Sequence, residues 1–301
     1  MNLSNVFKKK ILKQMLLQED DGYLGGASHV WLVQTEEGEV IVRTSALTDI
    51  EEDPFWYGMN IMFGIDPRRV FVLENLNRSL ALLTTRLSVP QVLNKALFQE
   101  REFVEVEKLP GKQLNTFIGM SSYLIEDFGK AIAQIHLQQF DFFGSFSSKT
   151  HQPLTVFNER LIEAMKKIVN KYYMNNYDKN QGIQELLPRI CQEAQRVPVP
   201  SSASYVMMDM DASQFLTNGE RVTAVVDTEG YVIGPRELEL VAFEYILDND
   251  AAQMFKKGYT SILEFPDLSK VRYVYRYFLR LLEVQGSKPI DKWMNHPILF
   301  H

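Results

Sequence analysis

The chain has 301 residues, of which 46% are apolar and 23% charged, with a formal net charge of −6; that is enough apolar material for one large two-lobed unit or two modest domains. Lys and Arg are scattered among acids, which excludes a protein that wraps nucleic acid, since phosphate-backbone binding needs a clustered basic surface. No apolar run approaches the roughly 20 residues of a bilayer span, the N-terminus lacks a signal-peptide core, and the lone Cys191 permits no internal disulfide, so a cytoplasmic protein without membrane or nucleic-acid partners is the expectation.

In chain order, Lys8-Lys9-Lys10 lies in an amphipathic segment with Val6, Ile11, Leu12, Met15 and Leu16, read as a solvated helix face. Gly25-Gly26-Ala27-Ser28-His29 is a turn ahead of two Val- and Ile-rich strands, residues 30–34 and 40–44, joined through Glu36-Glu37-Gly38. Leu76, Leu80, Leu83 and Leu87 set a helix over 74–87, stopped by Pro90. Alternation through Phe103, Val104 and Val106 predicts a strand over 98–108, ending at Leu109-Pro110-Gly111. Beyond it the pattern turns helical, over 121–138, 156–173, 184–194, 238–247 and 268–284, with one apolar strand at 222–227. A sheet-rich first part, 1–108, hinged to a mainly helical part, 109–301, leaves a cleft between them, a common place for a ligand.

The chemistry concentrates between Tyr205 and Gly230. Asp209 stands five residues before Gln214 and eighteen before Asp227, with a Thr-Asn-Gly-Glu turn and an apolar strand between. Loop, hairpin and second loop bring the three polar groups to one end. Phosphoryl transfer needs one carboxylate to receive the acceptor hydroxyl's proton and oxygen ligands to hold Mg²⁺ across the phosphates.

This segment resembles the catalytic loop and metal motif of the aminoglycoside phosphotransferase and choline kinase family, usually His-Gly-Asp-x-x-x-x-Asn followed by Ile-Asp. The resemblance extends to Leu109-Pro110-Gly111, to the helix ending at His136, and to Gly234-Pro-Arg-Glu-Leu-Glu-Leu-Val241, with Glu239 in the acidic position. It implies an α+β, bilobal protein-kinase-like fold, with a small antiparallel-sheet lobe carrying one helix and a larger helical lobe. It also implies ATP or GTP as phosphate donor with Mg²⁺, and a small-molecule acceptor bound by a monomer or dimer. Asp209 falls on the catalytic aspartate, and Gln214 and Asp227 on the metal ligands. Gly25, Gly26 and Ser28 fall on the turn over the nucleotide, Arg43 on the phosphate-binding Lys, and Glu74 on its helix partner. Glu105 and Glu107 fall on the hinge, whose backbone reads the base.

Three departures bear on activity: Met207-Met208 replace the family's His-Gly, Gln214 replaces Asn, and Asp211-Ala212-Ser213 replace His-Pro-Gly. A catalytically silent binding or scaffold protein is therefore the rival reading. A protein kinase is disfavoured, because neither Ala-Pro-Glu nor a recognisable activation segment follows Asp227.

Overall fold

A computed structural model describes residues 1–17, 27–147, 149, 151–174 and 177–301. Helix α1 (Leu3–Phe7) is followed by strands β1 (Lys13–Leu17), β2 (Ser28–Gln34) and β3 (Glu39–Ser45). Helices α2 (Pro54–Phe63) and α3 (Leu73–Leu83) precede the hairpin of β4 (Val92–Phe98) and β5 (Arg101–Glu107). These strands make one antiparallel sheet in the order β1-β2-β3-β5-β4.

Period-2 alternation gives the sheet two faces. Trp31, Val33, Val42 and Phe103 share the outer face, where Leu3 and Val6 of α1 cover them in a small separate core. Arg43 is opposite Val30 and Val104 in the register, so it shares the inner face with Val104 and Val106, which belong to the main core. The N-terminal segment was read as one solvated helix, but the helix ends at Phe7 and the chain continues as β1. There the half-buried Lys9 gives its ammonium to the buried Glu105 at 2.7 Å, while Lys8 and Lys10 remain exposed.

The first part holds more helix than the sequence reading supplied. Asp53 caps α2 through the backbone N–H groups of Phe55 and Trp56, Pro54 opens the first turn, and Gly64 closes it in the left-handed region. The β4–β5 hairpin turns through Gln99 and Glu100, both with positive φ (49° and 63°), which pairs β4 with the expected strand.

After Gly111, whose φ of +131° and closeness to Leu216 leave no room for a side chain, comes the short strand β6 (Lys112–Gln113), then α4 (Ser122–His136), β7 (Phe142–Phe143), β8 (Gln152–Pro153), α5 (Phe157–Ile168) and α6 (Tyr177–Arg196). Strand β9 (Ser204–Met207) leads into the Asp209 loop, and β10 (Phe215–Thr217) and β11 (Val222–Val225) form the expected hairpin. Strand β12 (Tyr231–Gly234) returns to pair with β9, and α7 (Arg236–Phe243), α8 (Asn249–Thr260), α9 (Arg272–Leu281) and α10 (Ile290–Met294) complete the helical part. No described helix is long and apolar enough to cross a membrane.

Of the links between the two parts, two run through α3 and the residues just after it. Ser88, just beyond α3, bridges β11 in parallel through Ser88 N to Thr223 O (2.8 Å) and Val225 N to Ser88 O (3.1 Å). Asn77 of α3 receives the Thr228 hydroxyl at 2.6 Å while donating to Pro90 O. The C-terminal segment is anchored on a buried charge. Glu244 accepts from Arg272 (3.2 Å) and Arg276 (2.7 Å) and from the Leu299 and Phe300 amides, and Arg276 also donates to the carbonyls of Met294 and Pro297. Removing that carboxylate leaves two buried guanidiniums without a counter-charge. Glu244→Gln is therefore expected to lower unfolding stability by about 3 kcal/mol, read as a fall in the urea midpoint with an unchanged slope.

Candidate active site

Strand β9 ends at Met207 because its ladder with β12 ends there: Met207 faces Tyr231, and Met208 N–H then donates to Gly230 O at 3.0 Å. Asp209 follows in the loop. A Cβ on Gly230 would lie 2.9 Å from Asp209 Cβ and 3.2 Å from its amide nitrogen, so only glycine permits this approach of the two loops. The Asp211 carboxylate caps the next turn by accepting from Ser213 N at 2.8 Å, which gives that extra acid a local structural use. Gln214 then donates its amide N–H to Asp209 Oδ2 at 3.0 Å, while its backbone carbonyl receives Val226 N at 2.9 Å. The three expected residues thus meet where β9, β10 and β11 end.

Arg43 reaches this point from β3. Its guanidinium donates to Asp227 Oδ1 (2.9 Å) and to the Val226 carbonyl (3.1 Å), and stands 3.3 Å from Glu229 Oε1. The Arg43 and Glu229 side chains are only 6% and 7% exposed, against 35% for Asp227. Burial works against the Arg43 cation, but Asp227, Glu229 and, more weakly, Asp209 outweigh it and raise its pKa. For Glu229, burial raises the pKa, partly offset by Arg43 and by the Ser28 hydroxyl, which donates to Oε2 at 2.7 Å.

Glu74 does not partner Arg43. It lies on the exposed side of α3 and pairs with Lys95 and Arg78, because the inner-face arginine is already held by the loop after β11. Glu229 takes that place, 3.3 Å from the guanidinium. Glu105 lies in register with Val42 and Glu107 with Val40, so both side chains are on the outer face; the Glu107 amide is given to Gln91 O at 2.9 Å. Ser28 opens β2 beside Glu229, whereas Gly25 and Gly26 lie outside the described residues.

The loop is braced from beneath where the family carries a histidine. Met207 and Met208 are fully buried, and Glu239 Oε1 accepts Met207 N at 3.1 Å. Glu239 Oε2 meets His136 Nε2 at 2.5 Å, and His136 Nδ1 meets the Tyr259 hydroxyl at 2.9 Å. His136 is thus a structural group with both ring nitrogens engaged.

No protein-family model matches the chain, and no curated protein matches it by sequence. Solved structures do. A thermostable mutant of aminoglycoside phosphotransferase APH(4)-Ia, in complex with AMP-PNP and hygromycin B, superposes with a TM-score of 0.62 over 96% of this chain and 90% of that one, at 17% identity. The chain shares the fold of the aminoglycoside phosphotransferases. Within that kinase-like fold, an APH(2″)-type structure with GDP and kanamycin gives a TM-score of 0.60 over 94% of this chain and 88% of that one, at 14% identity. The macrolide 2′-phosphotransferase MphH from Brachybacterium faecium gives 0.56 over 91% of each chain, at 13% identity.

The Glu239 brace makes a measurable claim. Glu239→Ala leaves the Met207 amide and the His136 ring without their acceptor in a fully buried site. It is expected to cost about 3 kcal/mol in a urea titration, whereas Glu237→Ala, two residues earlier on the same helix, should stay within about 0.5 kcal/mol.

Proposed function

We propose that the chain is an O-phosphotransferase that moves the γ-phosphoryl group of ATP or GTP to a hydroxyl of a small-molecule acceptor. The observation that carries this reading is the convergence of Asp209, Gln214, Asp227 and Arg43 at one end of the β9–β12 region, on a fold shared with small-molecule phosphotransferases.

Asp209 orients the acceptor hydroxyl and takes its proton. Gln214 holds Asp209 Oδ2 through its amide N–H, which turns the amide oxygen outward. Arg43 offers a guanidinium to phosphate oxygens in a forked geometry.

The residues fit a magnesium ion. Gln214 has its amide oxygen, and Asp227 its Oδ2, without a hydrogen bond among the described residues, so each presents one hard oxygen. Mg²⁺ commonly takes one or two protein oxygens and completes its shell with substrate phosphates and water. When bound, the ion neutralises charge on the transferring phosphoryl group.

Two measurements test the reading. Asp209→Asn is expected to abolish phosphate transfer, followed as ADP or GDP release across an acceptor panel, while nucleotide affinity changes by less than about threefold. In a thermal titration, Mg-nucleotide at 100 times its Kd should stabilise the protein by about 2.7 kcal/mol. Absence of stabilisation by both ATP and GTP returns the chain to the silent scaffold reading.

A further inference from the structure

We infer that Glu229 is the positioning residue of the Arg43 guanidinium, and that Ser28, at the start of β2, fixes Glu229 in that role. The inference rests on reading the cleft as a nucleotide site and goes beyond it by assigning a residue that the catalytic pattern does not include.

Four observations carry it. First, a guanidinium with 6% exposure needs a lasting counter-charge, and of its two carboxylates only Glu229, at 7%, is equally buried. Asp227 is 35% exposed, and only its Oδ1 is engaged by Arg43. If Asp227 turns toward a ligand, Glu229 is what keeps Arg43 from being left buried and unpaired. Second, the helix acid expected to hold Arg43 is elsewhere, with Glu74 on Lys95 and Arg78. Third, Arg43 Nε and Glu229 Oε1 are both buried and both without a hydrogen bond. With Oε1 only 3.3 Å from the guanidinium and still without a hydrogen bond, a guanidinium released by Asp227 has an open acceptor beside it on Glu229.

Fourth, Glu229 cannot drift. Ser28 holds its other oxygen at 2.7 Å, Thr228 beside it is anchored to Asn77 at 2.6 Å, and Gly230 after it is wedged against Asp209. Ser28 is also the first residue of the strand entered from the turn expected to cover the nucleotide. The Ser28–Glu229–Arg43 chain therefore ties the entry of β2 to the phosphate-binding cation.

The test turns on sign. Removing a negative charge beside a phosphate site should tighten an anionic ligand on Coulomb grounds alone, so weaker binding reports lost positioning. ADP and GDP are titrated calorimetrically, with and without Mg²⁺, into the wild type, Glu229→Gln, Arg43→Met and the double variant, with circular dichroism as the folding control. The expectation is that Glu229→Gln weakens nucleotide binding by about tenfold, and that it adds nothing once Arg43 is already Met.

Equal or tighter binding by Glu229→Gln overturns the assignment, as does a further loss in the Arg43→Met background, which would mark a direct or general structural role. A wild type that binds neither nucleotide removes the nucleotide-site reading itself, and this inference with it. Should Glu229→Gln fail to fold, Ser28→Ala carries the same comparison. It should show a loss of about threefold that disappears in the Arg43→Met background, and unchanged affinity overturns the assignment.

Discussion

A single buried cation organises the cleft. Arg43 comes from the middle of a strand and cannot remain charged at that depth without carboxylates beside it. Those carboxylates arrive from a segment 184 residues further along the chain. The four residues Asp227-Thr228-Glu229-Gly230 divide the work: two neutralise the arginine, one hydrogen-bonds α3, and one makes room for Asp209. Charge neutralisation, rather than apolar area alone, thus brings sheet, helix and the Asp209 loop to one point.

The loop carrying Asp209 is supported from two sides by different physics. Above it, Gln214 and Gly230 fix the aspartate by a hydrogen bond and by close approach. Below it, Glu239 joins a backbone amide to a buried histidine, and that histidine to a tyrosine. With Met207-Met208 ahead of Asp209 in place of a polar bracing residue, the loop is still supported. The two methionines fill that place, a task their flexible side chains suit, and the polar bracing is done by α4, α7 and α8.

Much of this was legible in the sequence. The Asp209, Gln214 and Asp227 spacing could be placed on a loop and hairpin because the Asn218-Gly219 turn between two apolar runs is a strong local signal. The β4–β5 hairpin carried no such signal, since Gln99-Glu100 occupies positive φ without glycine or asparagine, and β4 went unread. Helix α2 had a readable start in Asp53-Pro54, but Phe55-Trp56-Tyr57 follows without a clear polar face, so period could not separate helix from strand. The partner of Arg43 was not legible at all. Glu74 and Glu229 are both acids near the right elements, and only the strand register and the fold of the loop decide which one faces the inner side of the sheet.

The anchoring of the C-terminal segment also bears on the order of folding during synthesis. The sheet of residues 13–107 contains all its own ladder partners and can assemble once that stretch has emerged from the ribosome. The helical part cannot close so early. Arg276 draws carbonyls from Met294 and Pro297, and Glu244 draws the Leu299 and Phe300 amides, so two arginines and a glutamate stay hydrated until translation has passed residue 300. At about 5–20 residues per second, that places the sealing of the larger lobe some ten seconds or more after the smaller one, an interval in which exposed α7 and α9 surfaces would be available to chaperones.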